Sequence, residues 1–173
     1  MLKKLCALAA VALGAGRIVA TYPVFNATYD EPFHLAAGLE WLSRGTYEYE
    51  WQHPPLARVA IAFGPWLDGL RTLGHKTGWE EGPALLGSGG HHLHVLSLAR
   101  LGNLPFFLLA CLMLWLWARR WFDESVAAWA VVLFASLPAV LGHAALATLD
   151  MGCTATLLTA AYFLWRWWEA PGH

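Results

Sequence analysis

The stretch Leu101–Ala118 decides the fold class of this chain: it reads L-G-N-L-P-F-F-L-L-A-C-L-M-L-W-L-W-A and is followed directly by Arg119 and Arg120. It carries no charged side chain, and about 20 apolar residues are enough for a helix to cross the hydrocarbon core of a bilayer. Its tryptophans collect near the arginines, as is typical of a membrane interface. The stretch therefore predicts a membrane-spanning helix.

Three more stretches predict spans on the same grounds. The first covers about 5–24 and follows Lys3 and Lys4, another covers about 126–143, and the last covers about 150–168. The first stretch also has the charged start and apolar run of a cleaved signal peptide. Because no A-x-A site ends that run and Arg17 interrupts its far end, we favour an uncleaved helix.

The composition also indicates a membrane protein. Of the 173 residues, 58% are hydrophobic and only 13% are charged, whereas soluble domains carry about 25% charged residues. The net charge of −1 gives no reason to expect a nucleic-acid partner. Cys6, Cys111 and Cys153 lie in apolar runs without metal-ligand spacing, so we assign them no metal or redox role. We predict an all-α integral membrane protein with about four transmembrane helices, residues 1–173 forming one transmembrane domain.

Basic residues beside the spans predict the orientation, because short basic flanks are retained in the cytoplasm. Five of them fall on one side of the membrane if there are four crossings: Lys3, Lys4, Arg119, Arg120 and Arg166. The N-terminus is then cytoplasmic. A loop of about 25–100 and the turn before Asp150 then lie on the outer, periplasmic face.

Two helices are predicted inside the outer loop. Asp30-Glu31-Pro32 places an acidic cap and a proline at a helix start, and Gly45 supplies the end. A second helix starts at His53-Pro54-Pro55 and is broken or kinked at Gly64-Pro65. We expect both to lie at the membrane surface. The run Gly87–Gly90 indicates a flexible turn.

Two acidic residues are the first candidates for chemistry. Asp30 follows the first span, and Asp150 begins an otherwise apolar span, where an acid is costly near hydrocarbon. Both residues could simply cap helices. The orientation argument places them on the same outer face, which is what an active site would need.

Histidines supply a second set of candidates. His53 precedes two prolines at a predicted helix start, where an imidazolium and free N–H groups would favour a phosphate. His34 and His143 are near the acids in sequence and could pair with a carboxylate. A short cluster could bind a metal, but it lacks partners at defined spacing: His91, His92 and His94. We therefore predict no metal site, and a divalent cation stays open as a cofactor.

The order of these motifs resembles that in the N-terminal part of polyprenyl-phosphate-dependent membrane glycosyltransferases. The matching segments are T-Y-D-E-P-F-H-L-A-A-G at Thr28–Gly38, G-T-Y at Gly45–Tyr47, H-P-P-L-A at His53–Ala57, and His143 with T-L-D-M at Thr148–Met151. The superfamily includes protein O-mannosyltransferases and the bacterial aminoarabinose transferases of lipid A, and the chain is most similar to the bacterial family 39 type.

The resemblance implies the N-terminal part of a C-type glycosyltransferase fold in the bacterial inner membrane. Such enzymes move a sugar, with inversion, from a polyprenyl-phosphate carrier in the membrane lipid to a protein or glycolipid acceptor on the outer face. By motif match the catalytic residues are Asp30, Glu31 and Asp150, the donor-phosphate residue is His53, and the supporting residues are His34, His143 and Glu50. Some relatives have Glu where this chain has Gln52, and Glu50 is the candidate substitute.

Two interpretations remain open at this point. In the first, the chain is the N-terminal portion of a longer hexosyl- or pentosyltransferase and is inactive alone. In the second, it is a non-catalytic four-helix membrane protein that binds lipid carriers or acts as an assembly partner. A proton-coupled transporter fits less well, because transport sites lie near the membrane midplane and both acids are expected at one surface.

Overall fold

The computed structural model describes residues 1–170, which form α-helices and one short 3-10 turn and contain no strand. This confirms the all-α class for the described residues. In chain order the helices are α1 (Leu2–Thr21), α2 (Glu31–Arg44), α3 (Pro55–Leu67), α4 (Gly78–Gly87), α5 (His92–Leu101), α6 (Leu104–Trp121), α7 (Glu124–Phe134), α8 (Pro138–Ala144) and α9 (Asp150–Glu169).

Within residues 1–170, two helices are long and apolar enough to cross a membrane, and a bent pair could make a third span. The two are α1 and the continuous stretch His92–Trp121, which joins α5 to α6. The predicted span at 126–143 is not straight: α7 and α8 meet at 65°, because Pro138 lacks an N–H and starts a new helix. Helix α9 has the predicted length, but its threonines, tryptophans and terminal charges make it less apolar. Two or three of the four predicted spans are therefore supported.

The apolar helices form one bundle. Helix α6 packs against α7 and α9, and α1 packs against α7. The shared core contains Ile18, Phe107, Val131 and Ala155, all buried. Small residues allow the close helix approach that is common within membranes, as at Gly14 of α1, where a Cβ would lie 3.0 Å from the carbonyl oxygen of Ala135.

Charged residues collect at one end of this bundle. Lys4 Nζ lies 3.1 Å from Glu124 Oε1, and Arg120 Nη2 lies 2.7 Å from Glu169 Oε2. The first pair joins the starts of α1 and α7, and the second joins the ends of α6 and α9. All four lie at the same end of the bundle, because α7 begins three residues after α6 ends. These contacts bring together the flanks from which the orientation was predicted, and the orientation in the membrane stays a prediction.

The predicted outer loop contains four helices, α2–α5, where the sequence indicated only two. They enclose a second core that includes Leu35, Leu39, Ile61 and Leu96. Helices α2 and α3 pack so closely that a Cβ at Gly38 would lie 2.1 Å from the carbonyl oxygen of Arg58. The apolar faces of α2 and α3 thus meet each other, and a position at the membrane surface stays a prediction.

Two local predictions need correction. Helix α3 is not broken at Gly64-Pro65 but continues through Pro65 to Leu67, because a single proline removes only one N–H from a helix whose other bonds persist. A kink at this position stays a prediction. The stretch Gly87–Gly90 is not wholly a flexible turn, since Gly87 ends α4 and a 3-10 turn follows. Gly89 and Gly90 have φ values of 82° and 71°, which side-chain-bearing residues rarely adopt.

Candidate active site

A cavity of about 650 Å³ opens where the starts of α2, α4 and α9 meet the segment before α3. Its lining residues are Asp30, Phe33, His34, Tyr49, Glu50, Trp51, Gln52, His53, Trp79, Thr148, Leu149, Asp150 and Cys153. The structure thus brings together side chains from three separate sequence motifs. Among them are Asp30, His53 and Asp150.

Asp30 lies at the N-cap position of α2, but its side chain makes no capping hydrogen bond. It is exposed and lines the cavity. The positive end of the α2 dipole favours a negative charge at this position. A simple capping role therefore does not account for the carboxylate, which is open to a ligand in the cavity.

Glu31, the next residue, points into the protein and does not line the cavity. It is 1% exposed, and its carboxylate accepts five hydrogen bonds, from two Arg100 nitrogens at 2.8 and 2.9 Å, the Ala147 N–H at 2.8 Å, and the N–H and hydroxyl of Thr28 at 2.8 and 3.1 Å. Burial alone would raise the pKa of Glu31, but these donors outweigh burial and lower it. Glu31 is thus a buried anchor in the fold, and its predicted catalytic role stays a prediction.

Arg100 connects this anchor to the end of α1. Its guanidinium donates to the carbonyl oxygens of Tyr22, Phe25 and Asn26 at 2.9–3.0 Å. Because Glu31 also holds the Ala147 N–H, the ion pair joins the start of α2 to the loop before α9. The position of Asp30 relative to Asp150 therefore depends on Glu31 and Arg100.

The His53 ring is held in place by the carboxylate of Glu50. Its Nδ1 lies 2.6 Å from Glu50 Oε2, and Arg58 Nη2 lies 3.3 Å from the same oxygen. Arg58 is fully buried and also donates to the carbonyl oxygens of Glu50 and His53. Burial would raise the pKa of Glu50, but hydrogen bonds from His53 and the Gln52 N–H, with the nearby Arg58 charge, lower it. Since Nδ1 is engaged, Nε2 is the ring nitrogen left for a ligand.

Asp150 begins α9 and is held by two neighbours. Its Oδ2 lies 3.1 Å from His143 Nδ1 and 2.9 Å from the Thr148 hydroxyl. More than half of the side-chain surface of Asp150 is exposed. The structure therefore pairs His143 with an acid but leaves that acid accessible from the cavity.

His34 lies on the same wall as Asp30, one turn into α2. Burial and the nearby Arg58 charge lower the pKa of His34, and the Asp30 and Glu50 charges oppose this only in part. Its Nδ1 is buried and finds no hydrogen-bond partner among residues 1–170. His34 thus lines the cavity with a lowered pKa and with a polar atom that a ligand or a water could satisfy.

The sequence did not single out three residues that build this site: Arg58, Trp79 and Arg100. Each arginine stands alone in an apolar stretch, and a lone charge in such a stretch suggests a buried ion pair. Trp79 had no such signal, because its position depends on how α4 packs on α2.

The histidine cluster is not assembled as a metal site. His92 Nε2 contacts Asn26 at 3.1 Å, and His94 Nε2 contacts Asp68 at 3.0 Å. Across residues 1–170, no group of three or more His, Cys, Asp or Glu side chains is placed to hold a metal ion.

Comparison with known proteins gives one match. The family described as dolichyl-phosphate-mannose-protein mannosyltransferase matches residues 44–173, which is most of the chain. The matched range includes Glu50, His53 and Asp150, whereas Asp30 and Glu31 precede it. No curated protein and no solved structure matches the chain.

Proposed function

The chain belongs to the dolichyl-phosphate-mannose-protein mannosyltransferase family, and we propose that its cavity is the active site of a membrane glycosyltransferase that takes a sugar from a polyprenyl-phosphate carrier. The acceptor is a hydroxyl of a protein or glycolipid on the outer, periplasmic face. The transfer inverts the anomeric carbon. The bacterial inner membrane is the proposed location.

One observation carries this proposal: Asp30, His53 and Asp150 line a single cavity although they come from three distant segments. An acid that can accept a proton, an imidazole that can face a phosphate and a second acid are the groups that sugar transfer from a phosphate carrier requires.

Asp30 is the proposed general base. The acceptor oxygen attacks the anomeric carbon as the bond between that carbon and the phosphate oxygen breaks. The phosphate leaves with the electron pair of this bond, and the hydroxyl proton passes to the Asp30 carboxylate. A single displacement of this kind inverts the anomeric carbon. Because a phosphate is a good leaving group, positioned charges can supply much of the rate.

His53 is the proposed contact for the donor phosphate. With Glu50 on Nδ1, a protonated ring keeps Nε2–H for a phosphate oxygen. Glu50 in turn fixes the orientation of the His53 ring, and the buried Arg58 keeps Glu50 in place. Glu50 therefore supports His53 from behind, and a contact between Glu50 and the donor is not needed.

Asp150 is the proposed second acid, which orients the sugar or the acceptor through hydrogen bonds. His143 and Thr148 both contact its Oδ2, so the other carboxylate oxygen is available to a hydroxyl. Glu31 has no proposed contact with substrate, and its role is to position Asp30 and the loop before Asp150.

The test measures sugar transfer in membranes that contain the protein at its full natural length, with mannosyl-polyprenyl-phosphate as donor. We expect Asp30→Asn to lower the turnover by about 10²–10⁴-fold, the range for loss of a general base, at unchanged expression. The matched control is Asp68→Asn, since Asp68 is an exposed acid that contacts His94 away from the cavity. Near-normal turnover of Asp30→Asn removes Asp30 from the mechanism. Carrier binding without any transfer by the wild type supports the non-catalytic alternative.

A further inference from the structure

Three aromatic rings pack together beside the proposed catalytic acids. The rings of Phe33 and Trp79 have centroids 4.4 Å apart and planes 22° apart, which is a stacked arrangement. Tyr29 lies against the same indole, with centroids 4.9 Å apart. Phe33 and Trp79 both line the cavity that holds Asp30 and Asp150. The rings of Phe33 and Trp79 form one wall of the site.

The start of α4 is fixed tightly against α2, which sets the position of this wall. A Cβ at Gly78 would lie 2.9 Å from the Phe33 ring, and a Cβ at Gly82 would lie 2.3 Å from the carbonyl oxygen of Pro32. Two glycines on one side of α4 therefore let Trp79 lie flat on Phe33. No larger side chain would permit this approach.

The segment before α4 is fixed as well. The buried Glu81 carboxylate accepts hydrogen bonds from the N–H groups of Leu73 at 2.6 Å and His75 at 2.9 Å. Thr77 caps the helix by accepting from the Glu80 N–H. Trp79 thus follows a segment whose backbone is fixed by hydrogen bonds to Glu81 and Thr77. The position of its indole is therefore set before a ligand binds.

The exposure of the two rings differs in an informative way. Phe33 is 9% exposed, whereas Trp79 is 46% exposed although it has two aromatic neighbours. A large apolar ring is kept accessible next to two carboxylates, at a cost in hydrophobic burial. The other wall of the cavity is polar, with Glu50, Gln52 and His53, which disfavours a purely hydrocarbon ligand.

A sugar ring fits this combination of walls. The C–H groups on one face of a pyranose make an apolar surface that packs on an aromatic ring, and its hydroxyls donate to carboxylates. We propose that Trp79 is the platform on which the sugar ring of the donor lies, and that it determines specificity for a pyranose. This inference rests on the proposed function, and it adds the residue that recognises the sugar.

The test compares donor affinity in Trp79→Ala, Trp79→Phe and wild type, in membranes with the full-length protein. We expect Trp79→Ala to raise KM for mannosyl-polyprenyl-phosphate on the order of tenfold, since aromatic stacking contributes on this scale. Trp79→Phe should restore most of the affinity because it keeps a flat ring. The inhibition constant of sugar-free polyprenyl phosphate should stay the same in all three, because that ligand lacks the ring.

The control is Trp41→Ala, since Trp41 is a tryptophan of α2 that is 42% exposed but does not line the cavity. Its KM should equal that of the wild type. A parallel rise of KM and of the inhibition constant in Trp79→Ala overturns the proposal, because Trp79 would then contact the chain or phosphate. An unchanged KM overturns it too.

A second measurement separates this proposal from the proposed function. If the wild type transfers no sugar, saturation-transfer NMR with methyl mannopyranoside still tests the platform on the purified protein. Signals that are present in wild type and Trp79→Phe but absent in Trp79→Ala support a sugar platform. Equal signals in all variants, or no signal in the wild type, contradict it.

Discussion

Asp30 and Glu31 are adjacent acids whose surroundings have almost nothing in common. Asp30 is exposed, lines a cavity and makes no capping hydrogen bond. Glu31 is buried, accepts five hydrogen bonds and pairs with a buried arginine. Successive residues at a helix start point about 100° apart, so one faces the cavity and the other faces the core. The pair shows that adjacent acids can have opposite surroundings, one open to a ligand and the other buried in the fold.

The two positions should also differ in how substitution affects the stability of the fold. A buried charge that loses its partner costs several kcal/mol, whereas an exposed carboxylate can be replaced with little effect on stability. Function and stability should therefore separate between positions 30 and 31.

The largest expected effect is on stability at position 31. Glu31→Gln leaves the Arg100 charge buried without a counter-charge, and we expect a loss of about 3–5 kcal/mol in the free energy of unfolding. Asp30→Asn, one residue away, should leave the unfolding free energy within about 0.5 kcal/mol of wild type. Chemical denaturation in detergent measures both. Equal losses at the two positions contradict the contrast between the two acids.

A second variant tests whether α2 and α4 are packed as closely as the contact between Pro32 and Gly82 indicates. Gly82→Ala places a methyl group 2.3 Å from the Pro32 carbonyl oxygen, and such overpacking costs about 1–3 kcal/mol. Gly87→Ala in the same helix is the matched control, because a Cβ there meets nothing within 4 Å. The same denaturation measurement should show a loss for Gly82→Ala only. A loss in both variants would point to backbone effects in α4.

The sequence predicted the parts of the fold that depend on local signals. Asp30, Pro32 and Gly45 mark the ends of α2 as the structure has them, and the φ of 68° at Gly45 explains why a glycine ends the helix. The long apolar stretch before Arg119 is also found as a helix.

What the sequence missed depends on contacts between distant segments. The place of Trp79 depends on the packing of α4 on α2, although the start of α4 itself has a local signal in Thr77 and Glu80. Arg100 could be assigned to Glu31 only once residues 69 positions apart were brought together. For the same reason the motif gave Asp30 and Glu31 similar roles. Which acid faces the core is decided by the arginine that meets it.

A third prediction concerns pH and follows from His34, which lines the cavity about one helical turn after Asp30. Burial and Arg58 lower the pKa of His34 in the folded state from its ordinary 6.5. The unfolded chain therefore binds a proton below about pH 6.5 that the folded chain does not, and stability falls as the pH decreases. The slope due to this residue is bounded by one proton, about 1.4 kcal/mol per pH unit.

The measurement compares unfolding free energies of wild type and His34→Gln between pH 7 and pH 5. Carboxylates titrate mainly below this window, so the variant should show a smaller slope than the wild type. Equal slopes would show that His34 is not held neutral. The low pKa of Glu31 acts in a lower window, because its stabilisation is present above the ordinary glutamate pKa and is lost as the pH falls further.

The smallest expected effect comes from an ion pair whose geometry matches that of Glu31 and Arg100. Arg120 donates three hydrogen bonds to Glu169, from Nη2 at 2.7 and 2.8 Å and from Nε at 3.2 Å. Arg100 likewise uses Nε and Nη2 to reach both carboxylate oxygens of Glu31, at 2.8 and 2.9 Å. The side chains of Arg120 and Glu169 are 49% and 31% exposed, against 1% and 0% for Arg100 and Glu31, and water and salt screen the attraction between exposed charges. Arg120→Ala should therefore leave the denaturation midpoint unchanged at physiological salt. If it shifted the midpoint as far as Glu31→Gln does, geometry rather than burial would set the worth of an ion pair here, and the contrast between positions 30 and 31 would lose its physical basis.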